Sequence, residues 1–370
     1  MTALFEPFAL GGLVLANRVA MAPLTRNRSP QAIPTPQAAT YYAQRASAGL
    51  IISEGVAISQ EGQGYSDVPG LYAPEQLAAW GKITDAVHAA SGRIFAQLWH
   101  VGRVSHTSLQ PGGGIPVAPS ALQARARTFL IDARGGGTFA ETSPPRALAL
   151  EEMARVLDDY RRAAAAAVEQ AGFDGVELHA ANGYLIDQFL RSGSNRRTDI
   201  YGGSMENRVR FLAEAVDAIA ETIGGQRLGV RLSPMTPSND VEDADPQALF
   251  EAAARALAGR DIAYVHIVEG STGGRRDLQY GDKSFEYGAL KAAYRAAGGR
   301  GAWMVNNGYD RAMALEAVES GYADLVSFGR LFLANPDLVA RLAGDHPMNP
   351  MDKATIYGGG EKGYTDYPAL

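Results

Sequence analysis

The chain has 370 residues, a net charge of −6 and a pI near 5.6, with 46% hydrophobic residues and no cysteine. That apolar share can build a large core. An acidic balance with no Lys/Arg run argues against nucleic acid as a partner, and the missing thiols exclude disulfides, thiolate nucleophiles and Cys-ligated metals. No stretch reaches the ~20 apolar residues of a membrane span, and Met1-Thr-Ala-Leu-Phe-Glu6 lacks a basic region followed by an apolar run, so a soluble cytoplasmic protein without leader or membrane partner is expected.

Residues 18–23, Arg-Val-Ala-Met-Ala-Pro, predict a short buried strand ended by Pro23, with Leu24-Thr25-Arg26 as its exit. A helix is predicted over 36–48, stopped by Gly49. Residues 50–57 form a second strand, whose glycine-rich exit loop carries Tyr65. A helix over 74–90 has Leu77, Trp80, Ile83 and Val87 on one face. The third strand, 94–100, puts Phe95, Gln97 and Trp99 on one parity. The irregular stretch 101–148 follows, with a hairpin predicted from Phe129–Asp132 and Gly135–Phe139 around a glycine turn. Loops this long are usually functional, and this one is read as a cap.

A strong amphipathic helix spans 151–171. Residues 173–179 then predict a buried strand with Val176 and Leu178 on one face, Glu177 and His179 on the other. Further strands are expected over 227–234, 262–267, 302–308 and 324–330. Helices are expected over 204–223, 246–259, 285–297 and 310–320, and from 335 onward. Eight strand-like segments alternating with helices give an α/β fold, a (β/α)8 TIM barrel. One domain covers 1–370, with 101–148 as a capping hairpin excursion after strand three.

Active sites in such barrels lie at the carboxyl ends of the strands, where Thr25, Gly55, Gln97, Trp99, His179, Arg231, Gly308 and Arg330 fall. His179, Asn182 and Tyr184 leave the fourth strand within six residues. A lone His here would ordinarily be satisfied by a backbone carbonyl. The trio, two hydrogen-bond donors and a phenol that can give up a proton, points to a bound reactant. The loops Asn307-Gly308 and Gly329-Arg330 follow strands seven and eight, the usual phosphate site of this fold, and exposed N–H groups with an arginine suit an anion. Glu54 and Glu177 could pair as in glycosidases, but Glu177 more readily ties down an inward arginine. His179 with His100 or His266 lacks metal-ligand spacing, so no metal is expected. A polar site without a nucleophile fits chemistry carried by a cofactor.

Several motifs, quoted together, resemble the old yellow enzyme family of FMN-dependent ene-reductases. They are Met21-Ala-Pro-Leu-Thr25-Arg26, Ser53-Glu54-Gly55, Gln97-Leu-Trp99-His100, Phe173-Asp-Gly-Val-Glu-Leu-His179-Ala-Ala-Asn182-Gly-Tyr184, Asn195-Arg-Arg-Thr-Asp199 through Arg208, Phe328-Gly-Arg330 and Tyr357-Gly-Gly-Gly360. The resemblance covers nearly the whole chain and is nearest the bacterial branch of N-ethylmaleimide and pentaerythritol tetranitrate reductases. It implies tightly bound, non-covalent FMN and NADPH or NADH as reductant. The implied cofactor contacts are Thr25 at flavin O4, Pro23 and Gly55 through their backbones, Gln97 at the pyrimidine edge and Arg231 at N1 and O2. Asn307, Gly308, Gly329 and Arg330 would hold the phosphate. His179 and Asn182 would bind a carbonyl or nitro oxygen, Tyr184 would protonate the α-carbon while flavin N5 gives hydride to the β-carbon, and Tyr65, Trp99 and Tyr357 would wall the pocket. The implied reaction is reduction of activated alkenes: α,β-unsaturated carbonyls, maleimides and nitroalkenes. Reduction of nitroesters, nitroaromatics or quinones is the alternative, and a non-catalytic FMN-binding barrel is an alternative of another class. The expected assembly is a monomer or weak dimer. Many bacterial relatives carry a second His where this chain has Asn182.

Overall fold

The computed structural model describes residues 2–132 and 136–370; Gly135 of the expected glycine turn lies outside them. Eight parallel strands close a barrel: β1 (Val19–Met21), β2 (Leu50–Ala57), β3 (Ile94–Trp99), β4 (Gly175–His179), β5 (Leu228–Leu232), β6 (Tyr264–Val268), β7 (Ala302–Asn306) and β8 (Leu325–Phe328). They pair in sequence order, with β8 returning to β1. Their burial is continuous because helices cover the outside and side chains fill the inside. The helices are α1 (Pro36–Ala43), α2 (Pro74–Ala89), α3 (Met153–Glu169), α4 (Met205–Ile223), α5 (Pro246–Ala258), α6 (Tyr287–Ala296), α7 (Arg311–Glu319) and α8 (Leu338–Gly344). Their starts follow local chemistry: Asp245 before Pro246 and Asp310 before Arg311 each accept a first-turn N–H, at 3.2 and 2.9 Å.

Parity along β4 sets the two sides of its wall. Val176 and Leu178 join the outer core with Leu212 and Val216 of α4, while Glu177 and His179 belong to the inner face. Inside, the amino-terminal half of the barrel is apolar, with Ile52, Phe95, Tyr264 and Met304 in one cluster. Gly229 makes room for Tyr264, since a Cβ there would stand 2.1 Å from its ring. The carboxyl half is polar and carries the site.

Several elements differ from expectation. The helix predicted over 36–48 ends at Ala43, where turn bonds take over and buried Arg45 reaches the carbonyls of Phe332 and Leu333 at 2.8 and 2.9 Å. A hairpin, Phe8–Leu10 with Leu13–Leu15, closes the barrel floor through Leu10 and Leu15. Its signal is present in the sequence as two glycines between apolar triplets, with Gly11 at φ 55°. Short helices follow the site at Leu185–Leu190 and Arg330–Ala334. The excursion after β3 contains the expected hairpin, Arg127–Ile131 with Gly137–Glu141. No helix among the described residues is long and apolar enough to cross a membrane.

Candidate active site

The turn after β4 is built tightly. Ala180 N–H donates to Arg231 O and Leu185 N–H to His100 O, both at 3.0 Å, so the segment between must reverse in four residues. It does so with consecutive left-handed residues, Asn182 (φ 58°) and Gly183 (φ 75°). Asparagine tolerates that region, and a Cβ at 183 would meet Ser238 O at 2.6 Å. Asp187 fixes the turn by accepting Gly183 N–H at 2.9 Å while its other oxygen pairs with Arg191 at 2.7 Å. His179, Asn182 and Tyr184 thereby open onto one cavity of about 410 Å³.

Pro23, Thr25, Gly55, Gln97, Trp99, Arg231, Arg330 and Tyr357 line the same cavity. At Gly55, after a bulge in β2, a Cβ would strike the Trp99 indole at 2.6 Å. A second cavity of about 330 Å³ is lined by Asn307, Gly308, Gly329 and Arg330. The two share Pro23, Leu24, Arg231, Thr272, Gly273 and Arg330, so they are parts of one elongated space.

Three expectations about single side chains change. Tyr65 does not line either cavity. It stacks behind Trp99, with ring centroids 5.5 Å apart, and reaches the site through the Tyr184 hydroxyl at 3.1 Å. The Asn307 side chain is occupied by the loop after β6: its Nδ2 donates to the carbonyls of Glu269 and Ser271 at 2.6 and 2.9 Å and its Oδ1 accepts Gly273 N–H at 3.1 Å. It shapes the end of the cavity that Gly308, Gly329 and Arg330 also line. Glu177 does not hydrogen-bond an arginine. It accepts from Gln97 Nε2 at 2.8 Å and meets His266 Nδ1 at 2.7 Å, while Arg231 donates to Asn306 Oδ1 at 3.0 Å. Among the described residues of 101–148, none lines the main cavity.

Electrostatics follow from burial. It pushes the His179 imidazole well below its ordinary range, and the nearby Arg231 cation adds to this. His179 Nδ1 accepts Ala181 N–H at 3.3 Å, which leaves Nε2 as the N–H donor of a neutral ring. Burial raises Tyr184, which therefore stays protonated at neutral pH. Burial opposes the charge on Glu177, but His266, Arg231 and Gln97 outweigh it and hold the carboxylate ionised.

The donors present fit FMN. Arg231 Nε is buried with no protein partner, as a group awaiting a ligand acceptor would be. Gln97 spends a hydrogen of its amide on Glu177 and keeps its carbonyl for a ring N–H. A Cβ at Gly308 would meet nothing nearer than 3.7 Å, so the backbone there is open to an approaching group, whereas one at Gly329 would crowd Leu24 at 3.3 Å. Arg330 is exposed, and no side chain among the described residues pairs with it. Residues not singled out from sequence also build the site: Ser327, which with His266 underlies Glu177, Asn306 beside Arg231, and Thr272, whose hydroxyl meets Asn182.

The sequence profile of the NADH:flavin oxidoreductase / NADH oxidase family matches residues 3–349. The chain is 46% identical to morphinone reductase, solved with tetrahydroNAD, over 100% of this chain and 98% of that one, with a TM-score of 0.93. It is 43% identical to the old yellow enzyme homologue from Zymomonas mobilis, over the full length of both, with a TM-score of 0.92. A putative 12-oxophytodienoate reductase 5 of Oryza sativa subsp. japonica is 45% identical over 97% of this chain and 92% of its own.

Proposed function

The chain belongs to the NADH:flavin oxidoreductase / NADH oxidase family as an FMN-dependent, NAD(P)H-using oxidoreductase of the old yellow enzyme type, and on that premise we propose that it reduces the C=C bond of alkenes activated by a carbonyl or comparable oxygen. The observation that carries this reading is the convergence of His179, Asn182 and Tyr184 on one wall of the cavity whose other residues fit the flavin. Relatives named for 12-oxophytodienoate and morphinone, oxo compounds by name, support an oxygen-bearing substrate.

When bound, the reduced flavin supplies the hydride. The protein does the rest. The Nε2–H of neutral His179 and the Asn182 amide donate to the activating oxygen and draw electron density from the alkene, making its β-carbon electrophilic. Tyr184, held protonated, is the general acid for the α-carbon. Arg231, buried with its Nε unpartnered, would compensate negative charge on the reduced flavin. Trp99 walls one side of the cavity with apolar surface. Thr25, Pro23, Gly55 and Gln97 would hold the ring, and Gly308, Gly329 and Arg330 would hold the phosphate.

An anaerobic absorbance experiment tests the reading. The expected result is a flavin band that bleaches with NADPH or NADH and returns on adding 2-cyclohexenone. A band that bleaches but ignores the enone would overturn the substrate assignment. No band after reconstitution with FMN would overturn the cofactor assignment as well.

A further inference from the structure

The hydroxyls of Tyr65 and Tyr184 stand 3.1 Å apart. Tyr65 arrives from the exit loop of β2, outside the cavity, and its ring lies nearly parallel to Trp99 at an interplanar angle of 17°. Tyr184 meets the same indole edge-on, at 4.9 Å and 82°. The indole thus fixes both rings, and the oxygens meet beyond it.

Each phenol has one proton. If Tyr184 donated to Tyr65, its proton would point away from a reactant in the cavity. If Tyr65 donates, the Tyr184 oxygen accepts and its own proton is free to turn inward. We propose that Tyr65 is a positioning residue for proton delivery: it donates to the Tyr184 oxygen, directs the Tyr184 proton into the cavity and stabilises the oxygen once that proton has left. In the step, the Tyr184 O–H bond breaks and a C–H bond forms at the α-carbon. The O–H electron pair stays on the Tyr184 oxygen, where the Tyr65 hydrogen bond becomes charge-assisted and stronger. The inference rests on the reading of Tyr184 as the acid.

The excursion after β3 gains a function from this. Ser66 N–H donates to Phe129 O at 2.9 Å, Ile131 N–H donates to Ser66 Oγ at 3.0 Å, and the buried Thr128 hydroxyl donates to Gly64 O. These bonds bracket Tyr65. The hairpin is a buttress that holds the loop carrying this phenol.

Tyr65→Phe removes the hydroxyl and keeps the stacked ring. In the FMN-loaded enzyme under anaerobic conditions, reoxidation by 2-cyclohexenone is expected to slow roughly 3- to 10-fold, the range of one lost hydrogen bond. Flavin reduction by NADPH or NADH, and enone binding to the oxidised enzyme, are expected to hold. In a Tyr184→Phe background the same substitution is expected to add nothing. An unchanged reoxidation rate, an equal slowing of both half-reactions, or an undiminished effect in the Tyr184→Phe background would overturn the inference. If Tyr184→Phe alone reoxidised at the wild-type rate, the acid assignment would fail and the inference with it. A slow Tyr184→Phe beside an unaffected Tyr65→Phe would overturn the inference alone.

Discussion

The hydroxyl of Thr272 lies 2.7 Å from Oδ1 of Asn182. The Asn182 backbone is pinned on both sides, its N–H donating to Ser233 Oγ at 2.7 Å and its carbonyl accepting from Asn239 Nδ2 at 2.8 Å. The remaining freedom is a flip of the amide, which decides whether Nδ2 or Oδ1 faces the reactant. Thr272 Oγ1 donates to Asn182 Oδ1 at this short distance, which turns Nδ2 to the cavity. Thr272→Val is therefore expected to weaken 2-cyclohexenone binding to the oxidised enzyme roughly 2- to 5-fold, with Thr272→Ser retaining wild-type affinity. A Val variant that binds as tightly as wild type would show that the amide needs no such guide.

Asn182 has a consequence for pH. Neither oxygen-binding donor titrates near neutrality: the amide has no proton to gain, and burial with the Arg231 cation keeps His179 neutral. Enone affinity is expected to be flat from pH 6 to 8. Asn182→His puts an imidazole at a half-buried position, where its ordinary midpoint lies near 6.5. Its affinity is expected to rise as pH falls toward 6 and the ring gains a second N–H. Parallel profiles for the two proteins would contradict this.

The tail that carries Tyr357 to the cavity is clamped from beneath. Arg26 donates to the carbonyls of Ile356 and Gly363 at 2.9 and 2.7 Å, and Arg28 to that of Thr355 at 2.9 Å. Buried Glu54 faces this cluster and accepts Arg26 N–H at 3.2 Å. Burial pushes its carboxyl up from 4.5 to about 7, against the hydrogen bond and the two arginine charges. A raised acid favours the folded state fully below its unfolded value, and that contribution is lost as pH rises through about 7. Glu54→Gln cannot ionise, so its thermal stability relative to wild type is expected to improve between pH 5 and 8, by at most about 3 kcal/mol. A stability difference independent of pH would contradict the assignment.

Much of this was legible in the sequence because barrel chemistry is local. The alternation in Val176-Glu177-Leu178-His179 places two polar groups inside, and the residues that end each strand line the cavity. What escaped was contact between distant segments. Thr272 and Asn182 are ninety positions apart, and no local pattern marks Thr272. The Arg26 and Arg28 clamp joins the first strand's exit to the tail, and neither arginine's motif tells which carbonyls it meets. Tyr65 as a pocket wall rests on the family resemblance, which does not tell that its ring stacks against the Trp99 indole. Glu177 reads as an arginine partner because a buried carboxylate needs a cation or donors; Gln97 and His266 supply the hydrogen bonds, and Arg231 acts on it only through its charge. The floor hairpin had a local signal, but its triplets are too short to stand out beside the longer strands.

The central claim is that Tyr184 supplies the proton for alkene reduction in an FMN-loaded barrel. Single-turnover reoxidation of the pre-reduced enzyme by 2-cyclohexenone, measured anaerobically for wild type and Tyr184→Phe, tests it most directly. The variant is expected to be reduced by NADPH or NADH at the wild-type rate and reoxidised by the enone ~10²–10⁴-fold more slowly, the range of a lost general acid. Reoxidation of Tyr184→Phe at the wild-type rate would contradict it.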